Sequence, residues 1–156
     1  EMISRVSFEG TTYAPVPKRF EAGTPSIAEA VGFAAAVRYL RELGMDAVRR
    51  HDEALVRRAV EGLQALPGVR LVGPAAGRVG LVTFVVDGVH AHDVATALDL
   101  EGVAVRAGMH CAQPLHRHLG IGASTRASFY VYNTPEEVDA FLGALERVVA
   151  HFAAAV

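Results

Sequence analysis

The chain has 156 residues, 51% of them hydrophobic, and a formal net charge of −2 at pH 7. That length supports one full-sized core, no apolar run approaches the roughly 18 residues of a membrane span, and scattered arginines exclude a nucleic-acid footprint. The single cysteine excludes an intramolecular disulfide and fits a reducing compartment; with no basic-plus-apolar leader visible, a cytoplasmic location is expected. Of the 15 basic residues only Lys18 is a lysine. Chemistry that needs a lysine Schiff base must therefore use Lys18 or a lysine outside the chain.

Residues 1–24 differ from the rest: Phe8 to Pro17 shows neither helical nor strand period, and two prolines and two glycines argue for extended, irregular chain. They read as a lead-in, the end of a different structural unit. Thr24-Pro25 then supplies a hydroxyl N-cap and a proline at the first helical position. Ile27, Ala30, Val31, Ala34, Val37 and Leu40 follow helical spacing up to Gly44, a natural stop. A second helix starts near Asp46, carries Val48, Leu55, Ala59, Leu63 and Leu66 on one stripe, and ends at Pro67-Gly68.

The β-branched runs Val69 to Val72 and Val79 to Val86, separated by Gly73-Pro74-Ala75-Ala76-Gly77, predict a strand pair. A short helix from Ala91 to Leu100 closes at Gly102, and Val103 to Arg106 predicts a further strand. Residues Ala107 to Ala123 read as loop with a helical turn near Leu115, and Ala127 to Val131 as the last strand, opened by Arg126. Thr134-Pro135-Glu136-Glu137 combines an N-cap, a proline at N1 and a capping-box glutamate ahead of a final helix bearing Val138, Phe141, Leu142, Leu145, Val148 and Phe152. Mixed helices and strands with a strand-turn-strand pair predict an α/β (α+β) domain, a small, mainly antiparallel sheet covered by helices.

The chemistry centres on Cys111, in Arg106-Ala107-Gly108-Met109-His110-Cys111-Ala112-Gln113-Pro114. A lone thiol is either an inert small core residue or a reactive nucleophile. Gly108 and Pro114 bracket it in a loop, no apolar period includes it, and His110, Arg106 and Arg117 supply nearby positive charge or a proton acceptor. That setting favours the nucleophile. Arg126, fifteen residues on, either forms a structural ion pair with one of the 17 acids or grips a carboxylate bidentately; Arg106 is ambiguous in the same way. His90, His92 and Asp93, and the group His110, Cys111, His116 and His118, lack the recurring spacings of zinc sites, so no metal is expected. No dinucleotide fingerprint, phosphate loop or serine elbow occurs.

Three stretches, Arg19-Phe20-Glu21-Ala22-Gly23-Thr24-Pro25, Ala104 to Pro114, and Arg126-Ala127-Ser128 with Tyr132-Asn133-Thr134, run in register and resemble the C-terminal third of SufS-type cysteine desulfurases. These belong to the class V aminotransferase group of pyridoxal-phosphate (PLP) enzymes. The resemblance implies the C-terminal domain of a fold-type I enzyme, with residues 1–24 the tail of the large PLP-binding domain and 25–156 the small domain.

It further implies an enzyme that converts L-cysteine to L-alanine, leaving a persulfide on Cys111 for iron-sulfur cluster assembly. Arg126 would hold the substrate carboxylate with Arg106 nearby, and Thr24 would reach the PLP phosphate of the partner subunit in a homodimer. The sulfur acceptor would be a SufE- or SufU-like protein. The Schiff-base lysine would lie upstream of Glu1, so the chain alone is expected to be inactive. One departure stands out: Met109 replaces the first histidine of the family's Gly-His-His-Cys, leaving His110 the nearer proton carrier. A selenocysteine lyase or other class V enzyme, or a stand-alone sulfur-relay domain, are the alternative readings.

Overall fold

Residues 2–154 are described, in a computed structural model, and they fall into two units that divide between Gly44 and Met45. The division expected at residues 24 and 25 refers to a longer, two-domain enzyme.

In the first unit the expected irregular lead-in is a β-hairpin. Strand β1 (Ile3–Ser7) pairs antiparallel with β2 (Gly10–Tyr13), and Ser7 Oγ donates to the Gly10 carbonyl across the turn. The periodicity from Phe8 to Pro17 fails because that window spans a turn, a strand and an exit segment, each with its own period. After a 3-10 turn at Lys18–Phe20 comes helix α1 (Ile27–Leu43). Its N-cap is Ser26, not Thr24, and no side chain caps it. In Thr24-Pro25-Ser26 two hydroxyl residues compete for the cap, and Pro25 precedes it instead of occupying the first turn. Gly44 ends the helix as expected, at φ 81° with its N–H on the Leu40 carbonyl.

The second unit opens with helix α2 (Met45–Ala65), which buries Val48, Leu55, Val56, Ala59, Val60 and Leu63 along one stripe. Then follow β3 (Val69–Leu71), β4 (Leu81–Val86), α3 (Ala91–Leu100), β5 (Arg106–Gly108), α4 (Gln113–His118), β6 (Ser124–Ser128) and α5 (Pro135–Ala153). The four strands form one antiparallel sheet in the order β3-β4-β6-β5. Alternation along β4 assigns the faces. Val82, Phe84 and Val86 are buried, while Leu81, Thr83 and Val85 on the other face are half-buried. Helices α2, α3 and α5 cover the first face, where Leu55, Leu63, Val94, Leu98, Val138, Phe141 and Leu145 meet Val82, Phe84 and Ala127. The Phe84 and Phe141 rings lie 5.9 Å apart in a tilted pair. The antiparallel sheet covered by helices is therefore as expected, with α2, α3 and α5 together on one face.

Two strands are displaced from the predicted positions. Instead of Val103 to Arg106, β5 covers Arg106–Gly108, and instead of Ala127 to Val131, β6 covers Ser124–Ser128. The apolar runs mark side chains that turn to the core on the way to or from the ladder, such as Phe129, whereas pairing is set by the partner strand. Val103 is held by an N–H bond to the Leu98 carbonyl, and Phe129 by one to the Gly80 carbonyl. Arg126 consequently sits in the middle of β6 and does not open it.

Helix α5 starts as its sequence dictates. The Glu137 N–H donates to Thr134 Oγ1, and the Thr134 N–H donates to Glu137 Oε2 at 3.0 Å. Asn133 extends this box to the strand exit, donating to Glu137 Oε2 at 3.0 Å and accepting from the Tyr130 N–H at 2.9 Å. These donors, the Asn133 amide foremost, hold the Glu137 carboxyl below the usual carboxylate range. Thr134→Ala is expected to lower stability by about 1 kcal/mol, read as a shift in the urea midpoint at constant m; an unmoved midpoint would show the box to be ornamental.

Candidate active site

Strand β5 leaves the ladder at Gly108, whose register partner on β6 is Ser124. Gly108 has φ 130°, a conformation that glycine adopts readily. The next residues turn sharply: His110 and Cys111 both take left-handed backbone conformations, at φ 51° and 59°. For residues with a Cβ such conformations cost roughly 1–3 kcal/mol each and persist only where the surroundings hold them. The Ala112 N–H closes the turn on the Met109 carbonyl at 2.8 Å, and α4 follows with Pro114 in its first turn. Cys111 lies exposed at the crest, which sets aside the buried, inert thiol.

Both neighbouring histidines point back to β6. His110 Nε2 lies 3.1 Å from the Ser124 carbonyl. A carbonyl only accepts, so Nε2 carries the proton and Nδ1 is left with a lone pair. That Nδ1 is buried and has no partner among the described residues. Burial, foremost, pushes the imidazole below its ordinary pKa; the neighbouring Arg126, His116 and Arg106 act in the same direction, and the Ser124 carbonyl opposes them. The residue before Cys111 is thus an imidazole biased towards its neutral form. His116, only 6% exposed, has Nδ1 3.1 Å from the Ala112 carbonyl and Nε2 2.9 Å from Ser124 Oγ.

Arg126 and Arg106 are directly paired across β6 and β5. Arg126 also pairs with Thr83 of β4, so both arginines share the sheet face turned away from the helical core. Arg106 is exposed and Arg126 half-buried, with a buried Nε that lacks a partner among the described residues. The ion pairs among those residues engage Arg49, Arg58 and Arg147, and none reaches Arg126 or Arg106. Like charges placed opposite each other on a ladder repel. A carboxylate reverses that sign, because a guanidinium offers it parallel N–H donors. The pair therefore has the chemistry of an anion site, beside the loop that carries the thiol.

The other candidates lie elsewhere. Thr24 is exposed in the first unit, two residues ahead of the α1 cap. Lys18 is exposed in its 3-10 turn, and the second unit contains no lysine. That unit thus offers paired guanidinium groups to an anion and no lysine amine. The His90 and His92 rings meet edge to face at 5.1 Å, with His90 Nδ1 accepting the His92 N–H as the cap of α3. Among the described residues no group of three or more His, Cys, Asp or Glu is arranged to hold a metal ion, and no helix is long and apolar enough to cross a membrane. Sequence reasoning placed His116 only in a loop cluster and passed over Ser124; the Gly108–Ser124 register that joins them is not written in any local pattern.

The chain belongs to the aminotransferase class-V family, whose model matches residues 1–141. Among its relatives, a probable cysteine desulfurase 2 from Mycobacterium leprae is 54% identical over 153 residues, covering 97% of this chain and 37% of that protein. A cysteine desulfurase from Thermococcus onnurineus NA1, solved in its apo form, superposes with a TM-score of 0.87 at 45% identity, over 96% of this chain and 38% of that one. The cysteine desulfurase CsdA of Escherichia coli gives a TM-score of 0.86 at 36% identity, over 96% and 37%. The chain thus spans a little over a third of the length of the relatives it matches.

Proposed function

We propose that the chain is the C-terminal part of a SufS-type cysteine desulfurase that converts L-cysteine to L-alanine. The observation that carries this reading is the exposed Cys111, held in a left-handed turn beside a half-buried Arg126 that has no acidic partner among the described residues. Arg126 binds the carboxylate of the substrate cysteine, and Arg106, at the same level of the neighbouring strand, adds positive charge there. Cys111 takes up the substrate sulfur as a persulfide and hands it to a SufE- or SufU-like acceptor for iron-sulfur cluster assembly in the cytoplasm. PLP, anchored by a lysine outside this chain, supplies the electron sink for the carbon–sulfur cleavage. His110, the residue before Cys111, is an imidazole that burial pushes below its ordinary pKa and is the proton carrier of this reading.

Within this reading residues 1–24 close the large domain, residues 25–156 form the small one, and Thr24 meets the cofactor phosphate of the partner subunit in a homodimer. The test is to incubate the full-length, PLP-loaded protein with L-cysteine. L-Alanine should form, and the Cys111 peptide should gain one sulfur by mass spectrometry. Absence of both sinks the proposal.

The missing anchor gives a second expectation. Residues 1–156 alone, mixed with PLP, should show no absorption band of lysine-bound cofactor and release no alanine from cysteine. A band that disappears on Lys18→Ala would overturn this division of labour.

A further inference from the structure

Two adjacent left-handed residues with side chains need something to hold them, and the fold supplies it from one residue of β6. Ser124 is fully buried and is bonded on three sides. Its backbone is the register partner of Gly108, where the loop begins. Its carbonyl accepts from His110 Nε2, the residue before the thiol. Its hydroxyl meets His116 Nε2 at 2.9 Å. His116 in turn reaches the Ala112 carbonyl, the residue after the thiol, through Nδ1.

The Ala112 carbonyl can only accept, so His116 Nδ1 carries a proton; in the neutral ring Nε2 is then the acceptor and the Ser124 hydroxyl donates to it. The Ala112 carbonyl also accepts the His116 N–H at 3.1 Å, which fixes its direction twice over. Cys111 is therefore clamped from both flanks, by His110 directly and by Ala112 through His116, and both tethers end on Ser124. Two residues along the same strand lies Arg126.

We propose that Ser124 and His116 are positioning residues that hold Cys111 in its left-handed turn and fix the thiol's place relative to Arg126. Neither touches the substrate; both act through the loop. This rests on the desulfurase reading for its kinetic consequence but not for its structural one, so the two are measured separately.

The variants are Ser124→Ala, which removes one oxygen from a buried site without adding volume, His116→Asn, which withdraws the ring nitrogen from Ser124, and the double variant, all in the full-length PLP-loaded protein. Hydrogen exchange of residues 109–116 should accelerate roughly fivefold, the worth of one hydrogen bond, while the amides of β4 and α5 keep their protection. The turnover number for sulfur release should fall by a similar factor. KM for cysteine and the absorbance change on adding cysteine, normalised to bound cofactor, should stay within about twofold. The double variant should lose no more than the worse single one, because one clamp is cut twice.

Unchanged exchange and turnover in Ser124→Ala would overturn the proposal. So would faster exchange throughout the sheet with parallel loss of cofactor, which would mark a purely structural role, and so would additive losses in the double variant. If the unsubstituted protein releases no alanine from cysteine, the desulfurase reading fails, and the exchange data still decide the clamp.

Discussion

Replacing Cys111 by alanine in the full-length protein is expected to leave PLP binding intact and to cut sulfur delivery to an acceptor by at least about a hundredfold, as loss of a covalent nucleophile does. The expectation follows from where the side chain stands. Cys111 is exposed on a loop outside the sheet, so truncating it opens no cavity and breaks no core contact, and the fold should not register the change. What disappears is the only sulfur atom of the chain able to form a persulfide. Cofactor absorbance, thermal midpoint, alanine yield and sulfur transferred to the acceptor are the four readings to take together. Unchanged alanine and sulfur release would return Cys111 to the status of a bystander.

Arg126→Ala should raise KM for cysteine by roughly 10- to 100-fold, the range that one charge-assisted contact of about 1.5–3 kcal/mol represents. Stability separates this role from a structural one. Breaking a buried ion pair costs about 3–5 kcal/mol. Arg126 has no such pair among the described residues, and it faces Arg106 across the ladder. Its removal relieves a like-charge contact, so the thermal midpoint of the protein without substrate should hold or rise slightly. The same change at Arg106, which is exposed on the edge strand, should raise KM less, because solvent already competes for that guanidinium. An unaltered KM with a lowered midpoint in Arg126→Ala would reverse the assignment.

Features written in contiguous residues were legible in the sequence. The Thr134–Glu137 box lies where the pattern puts it, and β4 falls within the Val79 to Val86 run. So does the loop around Cys111, bracketed by Gly108 and Pro114, because glycine, proline and capping hydroxyls act locally. The aminotransferase class-V assignment was legible for a related reason, since three short motifs kept their order and spacing. What depends on a partner far along the chain was not. Polar Ser124-Thr125-Arg126 pairs with β4 and β5, while the more apolar Phe129-Tyr130-Val131 lies beyond β6. The β1–β2 hairpin was hidden by a window that ran from a turn through one strand into an exit segment. The cap of α1 was ambiguous because Thr24 and Ser26 carry the same chemistry two residues apart. The clamp on Cys111 needed both the β5–β6 register and the α4 helix before His116 and Ser124 became neighbours.

The position of β5 in the sheet has a consequence for reach. It is a three-residue strand at the sheet's edge, bonded only to β6, whereas β6 is interior. Arg126 is therefore built into a strand fixed on both sides, and Cys111 hangs from one fixed on a single side. Residues inserted between Gly108 and Gln113 would lengthen the arm by at most about 3.5 Å each without disturbing the core. Such insertions would forfeit the Ser124 clamp as the arm grew, so a short arm trades range for aim.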